Sequence, residues 1–348
     1  MIRRRGRALA SAFVAVLRLG HALADESPAE PPTRPAAQDA PAPAAPPAPV
    51  EPGPSPTPAT PAANDTEAKR AAAADRALER TLVQKGGLLL RPGRVEIVPQ
   101  VSYAHSDGDA PPAASRDGAA FGARTDLFSG RLTLRLGLPL AFQVEASAPF
   151  VYMRITPGSD DALARAAEGG GLGDARLGLT WHALRGRSKI PDVLLGGFWK
   201  SRSGRTPLDD PDVRVPLGTG VEQFGGTIAL VKAIDPIVLL ATGSYAVSVA
   251  RWVPTGWFRA GNEFGGSAGA VLAVSPETSL SFAFEAGHAR PYQLYGQRVY
   301  RSDRTSAVFR VGVATLASRS GFLQVNVGMG LTSDVPQFEL AVATPFQF

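Results

Sequence analysis

Cysteine is absent from the 348 residues, which excludes a disulfide framework and any thiolate metal site. Histidine is scarce: beyond the N-terminal leader only His105, His182 and His288 remain. They fall on separate segments with no nucleophile motif around them, and no His–carboxylate spacing of metal-ligand type occurs. No catalytic residue, cofactor or metal is expected. No apolar run reaches the roughly 20 residues of a membrane helix. Such a chain can span a bilayer only as a closed barrel, because an open sheet edge finds no hydrogen-bond partner in hydrocarbon. The net charge of +5 rests mostly on Arg near the N-terminus or between strand-like segments, so it is no nucleic-acid footprint. Gly169 to Asp174 is Gly-rich but lacks the following Lys-Ser/Thr of a phosphate loop, and a strand rather than a helix comes after it.

What is present begins with a leader. Arg3, Arg4, Arg5 and Arg7 precede the apolar run Ala8 to Leu17, and Ala22-Leu23-Ala24 offers a small-x-small cleavage site. This reads as a signal peptide over 1–24, cut after Ala24. Export without cysteine points to a bacterial envelope. Residues 25–64 are dominated by Pro and Ala and bury too little to offset the entropy of ordering, so a disordered linker is expected. Residues 65–85 are rich in Ala, Arg, Glu and Leu, with Asn64 or Asp65 as cap and Gly86-Gly87 as stop. They read as a short periplasmic helix.

From Arg94 onward the pattern has period two. Val95, Ile97, Pro99, Val101 and Tyr103 alternate with Glu96, Val98, Gln100, Ser102 and Ala104. Leu132, Leu134, Leu136 and Leu138 alternate with Arg131, Thr133, Arg135 and Gly137. The last stretch puts Phe338, Leu340, Val342, Phe346 and Phe348 on one face and Gln337, Glu339, Ala341 and Gln347 on the other. Connections alternate as well: those near 138–142, 184–191, 234–236, 275–278 and 318–321 are short or tight. Those near 107–123, 156–172, 204–220, 251–262 and 291–303 are long and polar, and only 333–335 breaks the rule. Short turns facing long loops on about 12 strands, an even number, mark an all-β chain. Its expected fold is a transmembrane antiparallel up-and-down β-barrel over 86–348, both ends at the periplasmic side. An Arg on the lipid face near the midplane costs about 2–4 kcal/mol, and here Arg shares the face of the small residues, so the Leu ridges must look outward.

The inward face carries both signs: Glu96, Arg131, Arg135, Glu145, Asp174, Arg176, Lys200, Arg202, Glu285, Arg310 and Glu339 are the lumen-lining candidates. They suit either a polar passage that selects a small solute or a salt-bridged wall that stiffens a filled barrel. The leading expectation is a bacterial outer-membrane channel or transporter for small solutes. A structural barrel that tethers the linker, or a hydrolase built on His182 or His288, stands as the alternative. Expected partners are the bilayer, lipopolysaccharide met by the Arg and Tyr of 290–304, a small-molecule solute, and the barrel-assembly machinery. The last would read Phe346 and Phe348 as an assembly signal. Trp252, Trp257 and Phe258 read as part of an interfacial girdle.

Four segments carry a resemblance. They are Thr81 to Gly93 before the first strand, Gly171-Leu172-Gly173-Asp174-Ala175-Arg176 opening the fourth, Leu217-Gly218-Thr219-Gly220 before the sixth, and Asp235-Pro236 in a tight turn ahead of Gly243-Ser244-Tyr245. Over most of 81–348 the chain resembles the outer-membrane transporters grouped as the phenol meta-pathway degradation-like family. The Pro-Thr-Gly usual there after the fifth strand is replaced by Ser203-Gly204-Arg205-Thr206-Pro207. The resemblance implies a barrel and uptake of small, aromatic or hydrophobic compounds, with no mechanism to carry onto single residues.

Overall fold

The computed structural model describes residues 88–109, 122–157, 166–186, 190–210, 212–254, 256–275, 277–300, 302–316 and 322–348. The expected leader, linker and helix lie outside them. The described residues form a closed barrel of twelve antiparallel strands. These are β1 (Val95–Asp109), β2 (Gly122–Leu138), β3 (Phe142–Pro157), β4 (Ala167–Leu172, resuming at Arg176–Leu184), β5 (Asp192–Lys200) and β6 (Gln223–Ile234). They continue with β7 (Ile237–Ser248), β8 (Glu263–Ala273), β9 (Thr278–Ala289), β10 (Arg304–Leu316), β11 (Phe322–Gly330) and β12 (Phe338–Ala343, resuming at Phe346–Gln347).

Each strand pairs with its neighbours in sequence, and β12 returns to β1. Gln100 to His105 face Ala343 to Phe338, and Glu96 and Ile97 face Gln347 and Phe346. Val95 and Phe348 exchange backbone hydrogen bonds of 3.2 and 2.9 Å, so the last residue is part of the seam. The lateral row that starts at Glu96 passes through Arg135, Glu145, Gly178, Phe198, Gly225, Ala246, Glu263 and Ala289 to Arg304. It leaves β1 beside the short turns and reaches β10 beside the long loops. That climb is the stagger a sheet needs to close on itself.

The side chains sort as the alternation requires. Leu132, Phe150, Leu177, Ile228, Phe282 and Leu340 stand on the outer face and remain exposed, whereas Glu96, Thr133, Gln143, Ser279, Ser281 and Gln324 are buried inside. An apolar exterior around a polar interior is stable in a bilayer and not in water. Aromatic rings mark both edges of the apolar band. Near the short turns Phe142 stacks on Trp181 at 5.9 Å; near the long loops Tyr103 meets Phe128 at 4.8 Å and Tyr245 meets Phe264 at 6.0 Å. Along β3 the outer face runs from Phe142 to Tyr152, which matches the roughly 9–11 residues that a tilted strand needs to cross. Past the upper ring the outer face turns polar again: Asp126 accepts a hydrogen bond from Tyr103 and pairs with His105 at 2.8 Å.

A second, four-stranded sheet sits on the long-loop side, built from Arg251–Val253 and Gly256–Arg259 after β7 and from Gln293–Leu294 and Gln297–Arg298 after β9. Phe258 pairs with Leu294 and links the two loops.

The outward assignment has a direct test. Leu132→Arg places a charge on the lipid face and is expected to cost about 2–4 kcal/mol. Urea titration of the barrel refolded into vesicles should show that loss, while Ser102→Arg, on the inner face, should leave the midpoint much closer to wild type.

Candidate functional site: the barrel lumen

Two ion-pair triads brace the inner wall. Arg135 on β2 reaches Glu96 on β1 at 2.9 Å and Glu145 on β3 at 2.7 Å, all three lying on one lateral row. The side chains of Glu96 and Arg135 are 3% and 12% exposed, so neither charge could stay without the other. Across the barrel Arg310 on β10 reaches Glu285 on β9 at 3.1 Å and Glu339 on β12 at 2.8 Å. The second contact spans β11, where the row Arg310–Gly328–Glu339 has a glycine in the middle and leaves the path clear.

Asp174 does something different from lining a passage. Strand β4 breaks at 173–175, and there the Asp174 carboxylate accepts from the backbone N–H of Gly204 at 3.0 Å, from that of Thr219 at 2.7 Å and from the Thr219 hydroxyl at 2.8 Å. Lys200 stands 3.8 Å away. One buried carboxylate thus ties both ends of the loop between β5 and β6. A Cβ on Gly218 would sit 2.3 Å from the carboxylate oxygen, so only glycine fits. The loop folds inward: Val215 and Leu217 are buried against Ala123 and Ile155, which face the lumen from β2 and β3. Beneath them lie Gly169 and Gly171, whose missing side chains make the groove; a Cβ at either would meet Val215 or Leu217 at 3.2 or 3.1 Å. The Gly-rich stretch that is no phosphate loop is the floor for this loop.

The opposite end is filled by the approach to β1. Leu88 and Leu89 pack on Leu194, Val231 and Val238, the inward residues of β5, β6 and β7. Leu90 is buried, and its N–H donates to Gln143 of β3 at 2.9 Å. The segment therefore reaches across the short-turn mouth of the lumen. Beside this filling the wall keeps a recess of about 160 Å³ lined in part by Leu240, Thr242, Ser267, Ser281 and Glu285.

Of the remaining lumen candidates, Arg131 and Arg176 stand on the inner wall of β2 and β4, and Lys200 ends β5. Arg202 is exposed in the loop past β5, where strand alternation no longer assigns a face. Phe346 and Phe348 lie on the outer face of the closing strand. Phe258 departs from the girdle expected for it: it is buried with Val221 and Val253 under the outer sheet and contacts Tyr292, while Trp252 and Trp257 are exposed beside each other. The sheet pairing of two loops put it there. The histidines are apart: His182 bonds Asp192 at 2.8 Å, His105 bonds Asp126, and His288 is on the outer face, 3.1 Å from Thr305. Leu88 to Leu90, Val215 and Leu217 are functional residues that strand reading passes over, since none belongs to a strand. Their signals are an apolar triplet before β1, apolar residues in a loop otherwise polar, and the place of Leu88 to Leu90 and Leu217 in two of the segments that carry the family resemblance.

No family model matches the chain. Among solved structures, an outer membrane channel from Pseudomonas putida F1 superposes with a TM-score of 0.59 at 16% identity, over 75% of this chain and 97% of that one. The translocator domain of the autotransporter NalP from Neisseria meningitidis gives 0.45 at 13% identity, over 80% and 97%. The first likeness is one of fold, that of an antiparallel β-barrel.

The clamp can be cut. Asp174→Ala removes three hydrogen bonds to a carboxylate, each worth about 1.5–3 kcal/mol when charged. The loop should become a trypsin site at Arg202, Arg205 or Arg214 in the refolded protein, with the barrel core still intact on a gel.

Proposed function

We propose that this chain is a passive channel for small solutes, aromatic ones included, in the outer membrane of a Gram-negative bacterium. One observation carries the reading. Outside a few apolar patches the wall of the cylinder is polar or small on its inner face, and the lumen is narrowed by two chain segments seated on two of those patches. Leu88–Leu90 and the loop holding Val215 and Leu217 are attached at the mouths, and either can withdraw without breaking a strand pair. A barrel serving only as an anchor has no need of a filling that is separable from its wall.

The same reading extends to membership of the phenol meta-pathway degradation-like family. Two of the segments that resemble it, Gly171 to Asp174 and Leu217 to Gly220, meet in the Asp174 clamp. It also extends to residues outside the described ones: a leader over 1–24 that exports the chain, a linker over 25–64 and a helix over 65–85 on the periplasmic side. At the outer rim, Arg290, Arg298 and Tyr300 present cations and a ring suited to lipopolysaccharide phosphates. At the other rim, Phe346 and Phe348 face outward on the closing strand, as a signal for assembly would.

Conductance tests the function. The full chain refolded into planar bilayers is expected to carry ion current, and a barrel that stays closed at every voltage overturns the proposal. Replacing Leu88, Leu89 and Leu90 together by Ser removes the burial of Leu90, worth about 1.5–3 kcal/mol, and the smaller share of the half-buried Leu88 and Leu89. That variant should show a larger unitary conductance than wild type, with unchanged heat-modifiable migration.

A further inference from the structure

Among the lumen charges, Arg131 and Arg176 differ from the rest. Arg135 and Arg310 each hold two carboxylates, and Lys200 stands by Asp174. No carboxylate lies within ion-pair distance of Arg131 or Arg176 among the described residues, although both side chains are exposed to the lumen. Across the strand pairs, Arg131 faces Gln100 and Pro149, and Arg176 faces Ser147 and Lys200. Pro149 and Ser147 are two residues apart on the inner face of β3, so Arg131 and Arg176 flank that strand at neighbouring levels, and the next inward carboxylate of β3, Glu145, is already engaged by Arg135. Two like charges on one wall without a counter-ion are an unfinished site: an anion is the missing partner.

Arg176 is also held in place. Its guanidinium carbon lies 3.7 Å from the centre of the Phe198 ring. The ring in turn lies on Gly225, where a Cβ would come within 2.3 Å of it. Gly225, Phe198 and Arg176 form a stack that runs from the wall of β6 into the lumen and covers one face of the guanidinium; no second ring among the described residues lies on the other. A planar guanidinium with one face covered offers a flat surface and a fork of donors.

We propose that Arg131 and Arg176 form a binding station for small organic carboxylates with a flat conjugated body. The carboxylate takes hydrogen bonds from both guanidinium edges, and the ring lies on the uncovered face of Arg176. Phe198 is a positioning residue. The station rests on the passage proposed above, of which it names the solute class, and it favours the acid over a neutral solute of the same shape.

Radiolabelled benzoate against benzamide, its uncharged isostere, tests this on the full refolded chain. In equilibrium dialysis the wild type should bind benzoate at least about tenfold more tightly than benzamide, as expected for hydrogen bonds to charged groups. Arg131→Gln and Arg176→Gln should each weaken benzoate about tenfold and leave benzamide unchanged. Phe198→Leu should weaken benzoate while Phe198→Tyr keeps it, a rescue that general loss of packing would not show. Equal binding of the two ligands by wild type, or benzoate binding untouched in both Arg variants, overturns the station. Because binding is read without current, a barrel that binds benzoate but never conducts sinks the passage alone. One that conducts yet does not discriminate the two ligands sinks the station alone.

Discussion

Closure of β12 on β1 is the constraint from which everything else in this molecule follows. In hydrocarbon an unpaired backbone group has no substitute partner, so each strand must have two neighbours and the sheet must have no edge. The seam is where this is hardest. In an antiparallel strand the N–H and C=O of one residue point to the same neighbour, and the carbonyl of Pro99 accepts from Thr344, in the break between the two parts of β12. Pro99 therefore withholds a donor from the closing edge, and Pro345, the residue after its partner Thr344, lacks one as well. The terminal residue compensates: Phe348 exchanges two hydrogen bonds with Val95 below this gap. A chain shortened by even one residue would lose that exchange.

Once the cylinder is closed, its interior poses a second problem, and the protein solves it in two ways. The wall is braced by charges shared across three neighbouring strands at Glu96–Arg135–Glu145 and across four at Glu285–Arg310–Glu339. The remaining space is filled from the ends. Leu88 and Leu89 enter from the short-turn side and find Leu194, Val231 and Val238; Val215 and Leu217 enter from the long-loop side and find Ala123 and Ile155. Both fillings are apolar in a lumen that is otherwise polar, so they settle only where the wall offers a matching patch. Asp174 holds the second filling through backbone N–H groups rather than through a side-chain cation, a bond geometry that depends on Gly204 and Gly218 having no side chain.

The barrel was legible in the sequence because a bilayer enforces period two with an energy penalty per misplaced residue. Leu132, Leu134 and Leu136 can only be on one side if Arg131, Thr133 and Arg135 are on the other. Strand number and inside–outside sense followed, and so did the residues paired in the two triads as members of one inner face. What was not legible was which charge meets which. Arg310 and Glu339 are on strands separated by β11, and nothing local shows that Gly328 will stand between them. Asp174 read as another lumen charge, and its role as a clamp needs Thr219 brought back from 45 residues away.

Alternation of side chains, the face each strand turns to lipid, and the end of the barrel at which each loop emerges were all set by the sequence on its own, since each depends only on a residue and its near neighbours. The filling of the lumen, the tie at Asp174 and the stack of Arg176 on Phe198 were decided by tertiary structure. They join residues from strands and loops far apart in the chain, and closure with stagger is what determines which of those residues share a level.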